Sequence, residues 1–176
     1  MGRSRKFGAF LAAVLAAAGG VVASAGPASA AAAVQTCVGT WAVTYDPPIT
    51  NTPQLVAGVL TGTFPVCTDP QAFNASYKQV FTDVVSCTTL LNAGSTSRTY
   101  VWGNPLAAPT TFTYNFTTTV AAGQVVVTNT GVITAGRYAP GSAVQVATLV
   151  TPDALACAGP GIGSLTGPTT LTIYAP

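Results

Sequence analysis

Beyond its first thirty residues, this chain alternates apolar and polar positions again and again. In TCVGTWAVTY, Thr36 to Tyr45, the residues Cys37, Trp41, Val43 and Tyr45 fall on one face, and Thr40 and Thr44 on the other. Successive side chains of a strand point to opposite faces, so a period of two predicts a half-buried strand. The period returns in LVAGVLTGTFPVC, Leu55 to Cys67, where Pro65 marks a bulge or an edge. It is weaker in AFNASYKQVF, Ala72 to Phe81, and clear again in STSRTYVW, Ser95 to Trp102. Thr110 to Val120 and Gln124 to Thr134 make the clearest hairpin, turned at Ala121-Ala122-Gly123. Ser142 to Thr151 and Thr169 to Ala175 complete the set. DPPITNTPQ, GNPLAAP, the Gly136–Gly141 loop and the glycine-rich AGPGIGSLTGP read as connections. DVVSCTTLLNAG is the most ambiguous piece, with room for a helical turn. About eight strands at roughly ten-residue spacing predict an all-β fold: an antiparallel β-sandwich, Ig-like in general architecture.

One strand raises a question of function. Phe112, Tyr114 and Phe116 occupy alternate positions, so their rings leave one face. The opposite face carries Thr111, Thr113, Asn115, Thr117 and Thr119, which can stay wet. Turning the rings outward would bury hydroxyls that then need partners. The core reading is therefore preferred over a ligand platform, and Trp41 and Trp102 are read the same way.

Composition supports strands. Threonine supplies 28 of the 146 residues from 31 to 176, and that stretch has no glutamate. Threonine and valine suit a pleated surface, while most strong helix formers are scarce. The first thirty residues differ. Arg3, Arg5 and Lys6 precede an apolar run to about Val22, and Ala28-Ser29-Ala30 is a small-x-small cleavage pattern. This predicts a secretory signal over residues 1–30, an extracellular product, and one domain over 31–176. No later stretch is apolar enough for a membrane-spanning helix. Over 31–176 the cations are Lys78, Arg98 and Arg137 and the anions Asp46, Asp69, Asp83 and Asp153, a balance of 3 − 4 = −1. Three scattered cations cannot neutralise a run of phosphates, which argues against nucleic acid as a partner.

Cys37, Cys67, Cys87 and Cys157 make an even count in an exported chain and predict two disulfides. Of the three possible pairings, Cys37–Cys67 with Cys87–Cys157 is preferred, because the first would tie the outer ends of a hairpin centred near Thr52. Zinc is disfavoured, since there is no histidine and no CxxC. Without histidine the usual Ser-His-Asp and Cys-His nucleophiles are excluded. The four aspartates sit beside prolines or in scattered positions and read as turn residues rather than paired acids. The expectation is a protein that is not an enzyme, with no cofactor and no metal. The loop GRYAPG, Gly136 to Gly141, offers Arg137 and Tyr138 as a possible partner contact, since both types are favoured at binding hot spots.

Several local patterns run together along the chain: Cys37-Val38-Gly39-Thr40, Ser86-Cys87, Trp102-Gly103-Asn104, Val127 to Gly141, and Cys157 followed by Gly161-Ile162-Gly163-Ser164-Leu165-Thr166-Gly167 to Ile173. In these the chain resembles an uncharacterised family of small, four-cysteine, all-β proteins exported by Streptomyces-type actinobacteria. Asn129 and Thr130 lengthen the central spacing relative to that family. The resemblance implies export and fold, and brings no active-site residues. The functional expectation is a secreted structural or interaction module acting on an unknown extracellular protein or glycan. The alternatives are a carbohydrate- or small-ligand-binding module, for which Tyr114, Trp102 and Tyr138 are the candidate rings, and a secreted protease inhibitor acting through Arg137.

Overall fold

The computed structural model describes residues 31–90 and 92–176; the export signal expected over residues 1–30 lies outside the described residues. Eight strands follow one another: β1 (Ala33–Ile49), β2 (Gln54–Cys67), β3 (Ala75–Val85), β4 (Ala93–Trp102), β5 (Thr110–Ala121), β6 (Gln124–Ala135), β7 (Ser142–Val150) and β8 (Ile162–Tyr174). A one-turn helix, α1 (Ala154–Ala158), precedes β8 and is capped by Asp153, whose carboxylate accepts from the Leu155 amide at 2.9 Å.

Each strand pairs antiparallel with the next, and β8 returns to β1, so the sheet closes into one barrel. This corrects the two-sheet, Ig-like sandwich expected from the sequence. Strand count and alternation are common to both architectures; the pairing of the first strand with the last separates them. The closing ladder runs from Ala33 opposite Tyr174 to Ile49 opposite Ile162. It recruits Ile162 to Pro168, seven of the eleven residues of the glycine-rich segment expected to be a loop, because β1 supplies the backbone partners. Gly167 lies opposite Trp41, and a Cβ there would come within 2.0 Å of the Thr148 carbonyl oxygen, so the close approach of strands requires glycine.

The alternation reads directly as inside and outside. Cys37, Trp41, Val43 and Tyr45 are buried within β1, as are Phe112 and Tyr114 within β5. The intervening threonines mostly face outward. Both disulfides form as expected. Cys37 and Cys67 are direct register partners with Cα atoms 4.1 Å apart. Cys87, in the β3–β4 connection, reaches Cys157 in α1, with Cα atoms 6.1 Å apart.

The two ends of the barrel are built differently. The end that holds the β2–β3, β4–β5 and β6–β7 connections is plugged. Buried Gln35 donates to the Ala72 carbonyl at 2.9 Å and accepts from the Thr68 hydroxyl and the Asp69 amide, both at 2.9 Å. Asp69 accepts from Arg137 at 2.6 Å and from the Tyr138 hydroxyl at 2.7 Å. The Tyr138 ring stands edge-on to Trp102 at 5.5 Å, and the Trp102 indole donates to Thr110, which donates on to the Arg137 carbonyl. These contacts hold Tyr138 at a left-handed φ of 71°, which a side chain of its size rarely adopts.

Burial pushes the Asp69 carboxyl up, but hydrogen bonds from Arg137, Tyr138 and the Gln71 amide outweigh it and hold the group below its ordinary value. A depressed folded-state value adds stability that is complete above the unfolded value and lost as pH falls through the folded one. The denaturant midpoint is therefore expected to drop as pH is lowered below about 4, and Asp69→Asn should flatten that part of the curve. A midpoint that falls equally in Asp69→Asn would show that the plug does not carry the acid sensitivity. Opening the Cys87–Cys157 bridge by paired serine substitution, which frees a separation of 70 residues, is expected to cost about 4 kcal/mol in equilibrium unfolding.

Candidate functional site: a lumen with a buried arginine

Above the plug the lumen is filled by rings. Tyr100 meets Phe64 at 6.1 Å, Tyr77 at 5.3 Å, Trp102 at 6.4 Å and Phe112 at 6.3 Å between centroids. Phe112 stacks on Tyr114 at 4.8 Å. On this aromatic floor lies Arg98. It occupies the inward phase of β4 with Tyr100 and Trp102, and only 7% of it is exposed. Its guanidinium carbon sits 4.4 Å from the ring centroids of both Tyr77 and Tyr114. Its Nε donates to the Tyr114 hydroxyl at 2.9 Å, its Nη1 donates to Gln145 Oε1 at 2.9 Å, and its Nη2 also donates to the Tyr114 hydroxyl.

Gln145 knots the floor together. Its Oε1 also accepts from Tyr100 at 2.7 Å, and its Nε2 donates to Tyr77 at 3.3 Å and Thr169 at 3.0 Å. Burial pushes the phenols of Tyr77 and Tyr100 above their ordinary values, so both stay protonated. For Arg98, burial pulls toward the neutral form, but the surrounding tyrosine oxygens more than offset it and the guanidinium stays charged. No carboxylate among the described residues lies within ion-pair distance of it; the ion pair present is Arg137–Asp69 in the plug.

From Arg98 toward the opposite end the lumen is open, with a cavity of about 330 Å³. Trp41, Tyr45, Phe81, Tyr114 and Phe116 give it aromatic walls, and Leu60, Val127, Leu149 and Leu165 aliphatic ones. The opening has a local cause. Gly58 pairs with Phe81 and Gly94 with Phe116. A Cβ at Gly58 would fall 2.0 Å from the Phe81 ring, and one at Gly94 2.8 Å from the Phe116 ring. Each ring lies back over the glycine opposite it and leaves the centre clear.

The wall itself is incomplete beside the cavity. β3 and β4 pair only at Ala75–Trp102 and Ser76–Val101, next to the plug. Farther along they separate into a seam, bridged by the Gln79 side chain, which donates to Thr96 Oγ1 at 3.2 Å. Gln79, Phe81, Asp83 and Val85 on one flank and Thr96 and Arg98 on the other all line the cavity. Two residues that line the cavity carry buried polar atoms with no partner: Trp41 Nε1 and Asn129 Nδ2, on residues 7% and 1% exposed. Buried donors without acceptors are rare in folded proteins and call for an explanation.

The sequence candidates separate. Phe112 is packed core, while Tyr114 and Phe116, on the same strand face, line the cavity, so that face serves both purposes. Trp102, Tyr138 and Arg137 belong to the plug, where Arg137 and Tyr138 both engage Asp69. Arg98, Gln145 and Asn129 were missed. Their signal is phase: each is a polar residue at an inward position of an alternating strand. No group of histidine, cysteine or acidic residues among the described residues could hold a metal ion. Comparison with known proteins finds no family model, curated protein or solved structure that matches the chain.

Removing a buried charge that has no counter-ion relieves its desolvation cost, provided no neighbour is stranded. In Arg98→Met, Gln145 Oε1 would keep Tyr100, and the Tyr114 hydroxyl would keep Gln79 at 3.4 Å. Stability by urea unfolding is expected to stay within about 1 kcal/mol of the parent or to rise. Gln145→Leu strands the Arg98 Nη1 and the Tyr100 hydroxyl, and should cost roughly 3 kcal/mol or more. The reverse order would show that Arg98 is there to hold the barrel.

Proposed function

We propose that this protein is a non-enzymatic binding protein that encloses one small, largely apolar molecule in its barrel. The observation that carries the reading is the cavity of about 330 Å³, walled by rings, with unpartnered polar atoms on two of the residues that line it. Protein interiors are close-packed, and an empty space of this size costs stability. Eight strands enclose an interior that side chains can fill, or that can hold one small ligand. This lumen does the first at the plugged end and the second at the other. The volume falls within the usual range for small-molecule sites. Enclosure favours a small ligand over a long glycan lying on an exposed platform.

Export remains the reading of residues 1–30. Two disulfides are compatible with an oxidising, extracellular setting. Among the described residues no helix is long and apolar enough to cross a membrane. The barrel places aromatic side chains inward and mainly threonine and valine outward, whereas membrane-spanning barrels keep a polar lumen.

A neutral, environment-sensitive probe, N-phenyl-1-naphthylamine, tests the reading without invoking charge. Purified protein is expected to raise its emission saturably at one site per chain. Val127→Trp, which fills the lumen from β6, should weaken binding at least about tenfold while circular dichroism stays unchanged. Absent or unsaturable binding, or undiminished binding in a folded Val127→Trp protein, would defeat the proposal.

A further inference from the structure

We propose that the molecule held in the lumen is a monocarboxylic acid with an apolar body, its carboxylate paired with Arg98. The proposal rests on the lumen being a ligand site and adds the chemistry of the ligand's head group. A guanidinium withdrawn from water without an anion costs several kcal/mol, and natural folds retain such a group where something else uses it. Arg98 is in that state: nine-tenths buried, on the cavity wall, and without a carboxylate partner among the described residues.

Its hydrogen-bond inventory leaves capacity. A guanidinium has five N–H groups. Three bonds are made, two to the Tyr114 oxygen and one to Gln145, so two N–H groups remain. Tyr77 and Tyr114 grip the plane of the group, and Gln145 fixes its edge. Its orientation is therefore set before any ligand arrives, which lowers the cost of binding. Two residues that line the cavity also carry unpartnered nitrogens: the indole Nε1 of Trp41, which can only donate, and the amide Nδ2 of Asn129.

Two unused N–H groups on a fixed cation call for a group that only accepts. A carboxylate does so, with two oxygens spaced to meet the guanidinium fork. One cation balances one negative charge, which favours a monoanion over a phosphate. Asp83, the acidic residue on the cavity wall, is exposed and adds negative charge at the seam, which further disfavours a dianion. Apolar side chains make up much of the remaining lining, with Leu60, Phe116, Val127 and Leu149 available to the ligand's body, beside the polar Gln79, Thr89, Asn92, Thr96 and Thr118.

Displacement of N-phenyl-1-naphthylamine by matched pairs tests this: 2-naphthoate against 2-naphthalenemethanol, and decanoate against decan-1-ol. Each pair keeps the body and exchanges the charged head for a neutral one. In the parent protein at neutral pH, at least one acid should displace the probe at a concentration at least about tenfold lower than its alcohol. Arg98→Met should still bind the probe and lose that preference. If that variant does not fold, Tyr114→Phe, which removes the hydroxyl fixing the guanidinium, should shrink the preference. Alcohols as effective as acids in the parent, or a preference that survives in Arg98→Met, would overturn the carboxylate assignment while leaving the ligand site in place. Failure of the parent to bind the probe at all would instead remove the ligand site itself.

Discussion

Closure of the sheet is the constraint on which everything else in this molecule depends. The ladder between β1 and β8, from Ala33 opposite Tyr174 to Ile49 opposite Ile162, removes both free edges at once. It also gives the interior a circumference that side chains must fill or leave empty. In an open sheet Trp41, Tyr100 and Phe112 would lie on a wet face. In the closed one they share a lumen, and the burial of rings drives the fold. The outer face can then be threonine and valine at little cost, because the β geometry suits both. Two of the three cations over residues 31–176, Arg98 and Arg137, are likewise held in the lumen and in the plug rather than spread over the surface.

Within the closed lumen the polar groups follow two different rules. In the plug nearly every donor meets an acceptor: Gln35, Asp69, Tyr138, Trp102 and Thr110 form one connected set, and the buried Arg137 Nε is its unpaired member. Such a set rigidifies an end of the barrel and gives no reason to look for a ligand there. Around the cavity the account does not close. Arg98 keeps unused N–H groups, and Trp41 and Asn129 each leave a nitrogen unpaired. A fold whose levels otherwise agree breaks its own pattern at the place where it has a task. The contrast between the two ends, made within one sheet and from the same residue types, is what directs attention to the lumen.

Much of this was legible in the sequence, and the limits have physical causes. Alternation gave the eight strands and the inward faces of β1 and β5, and the even cysteine count with the first hairpin gave both disulfides. It could not distinguish a barrel from a sandwich, because each places alternate residues in a core and closure is a long-range pairing. The length of β8 was hidden for a related reason. Ile162 to Pro168 carries loop residues, yet its backbone groups find partners on β1, and tertiary pairing overrides local propensity. β3 was placed early because Phe73 keeps the phase of Ala75 and Tyr77, although Phe73 is exposed and Ala72 belongs to the plug, where its carbonyl accepts from Gln35. Arg98 went unnoticed because charged residues are ordinarily on surfaces. Its phase with Tyr100 and Trp102 was visible, and trusting the period over the residue type would have placed it inside. The cavity itself was beyond reach: it depends on Gly58 and Gly94 standing opposite Phe81 and Phe116, a register that only the paired strands define.

The placement of the second disulfide bears on how a ligand would reach Arg98. Cys87 follows β3 and Cys157 lies in α1, so the bridge pins together two of the four connections at the unplugged end. Backbone bonds reinforce it: the Asn51 amide donates to the Cys157 carbonyl at 3.0 Å, and the Cys87 amide to the Thr50 carbonyl at 2.8 Å. Three connections at that end are thereby tied to one another. The seam between β3 and β4 is held by far less, since past Ser76 and Val101 no ladder pairs cross it and the Gln79 side chain spans it. Local opening occurs where few hydrogen bonds must break. The covalent bond therefore ties the mouth, while the seam has the fewest bonds to break, so a ligand of the kind proposed would enter past its inner flank, where Arg98 lies.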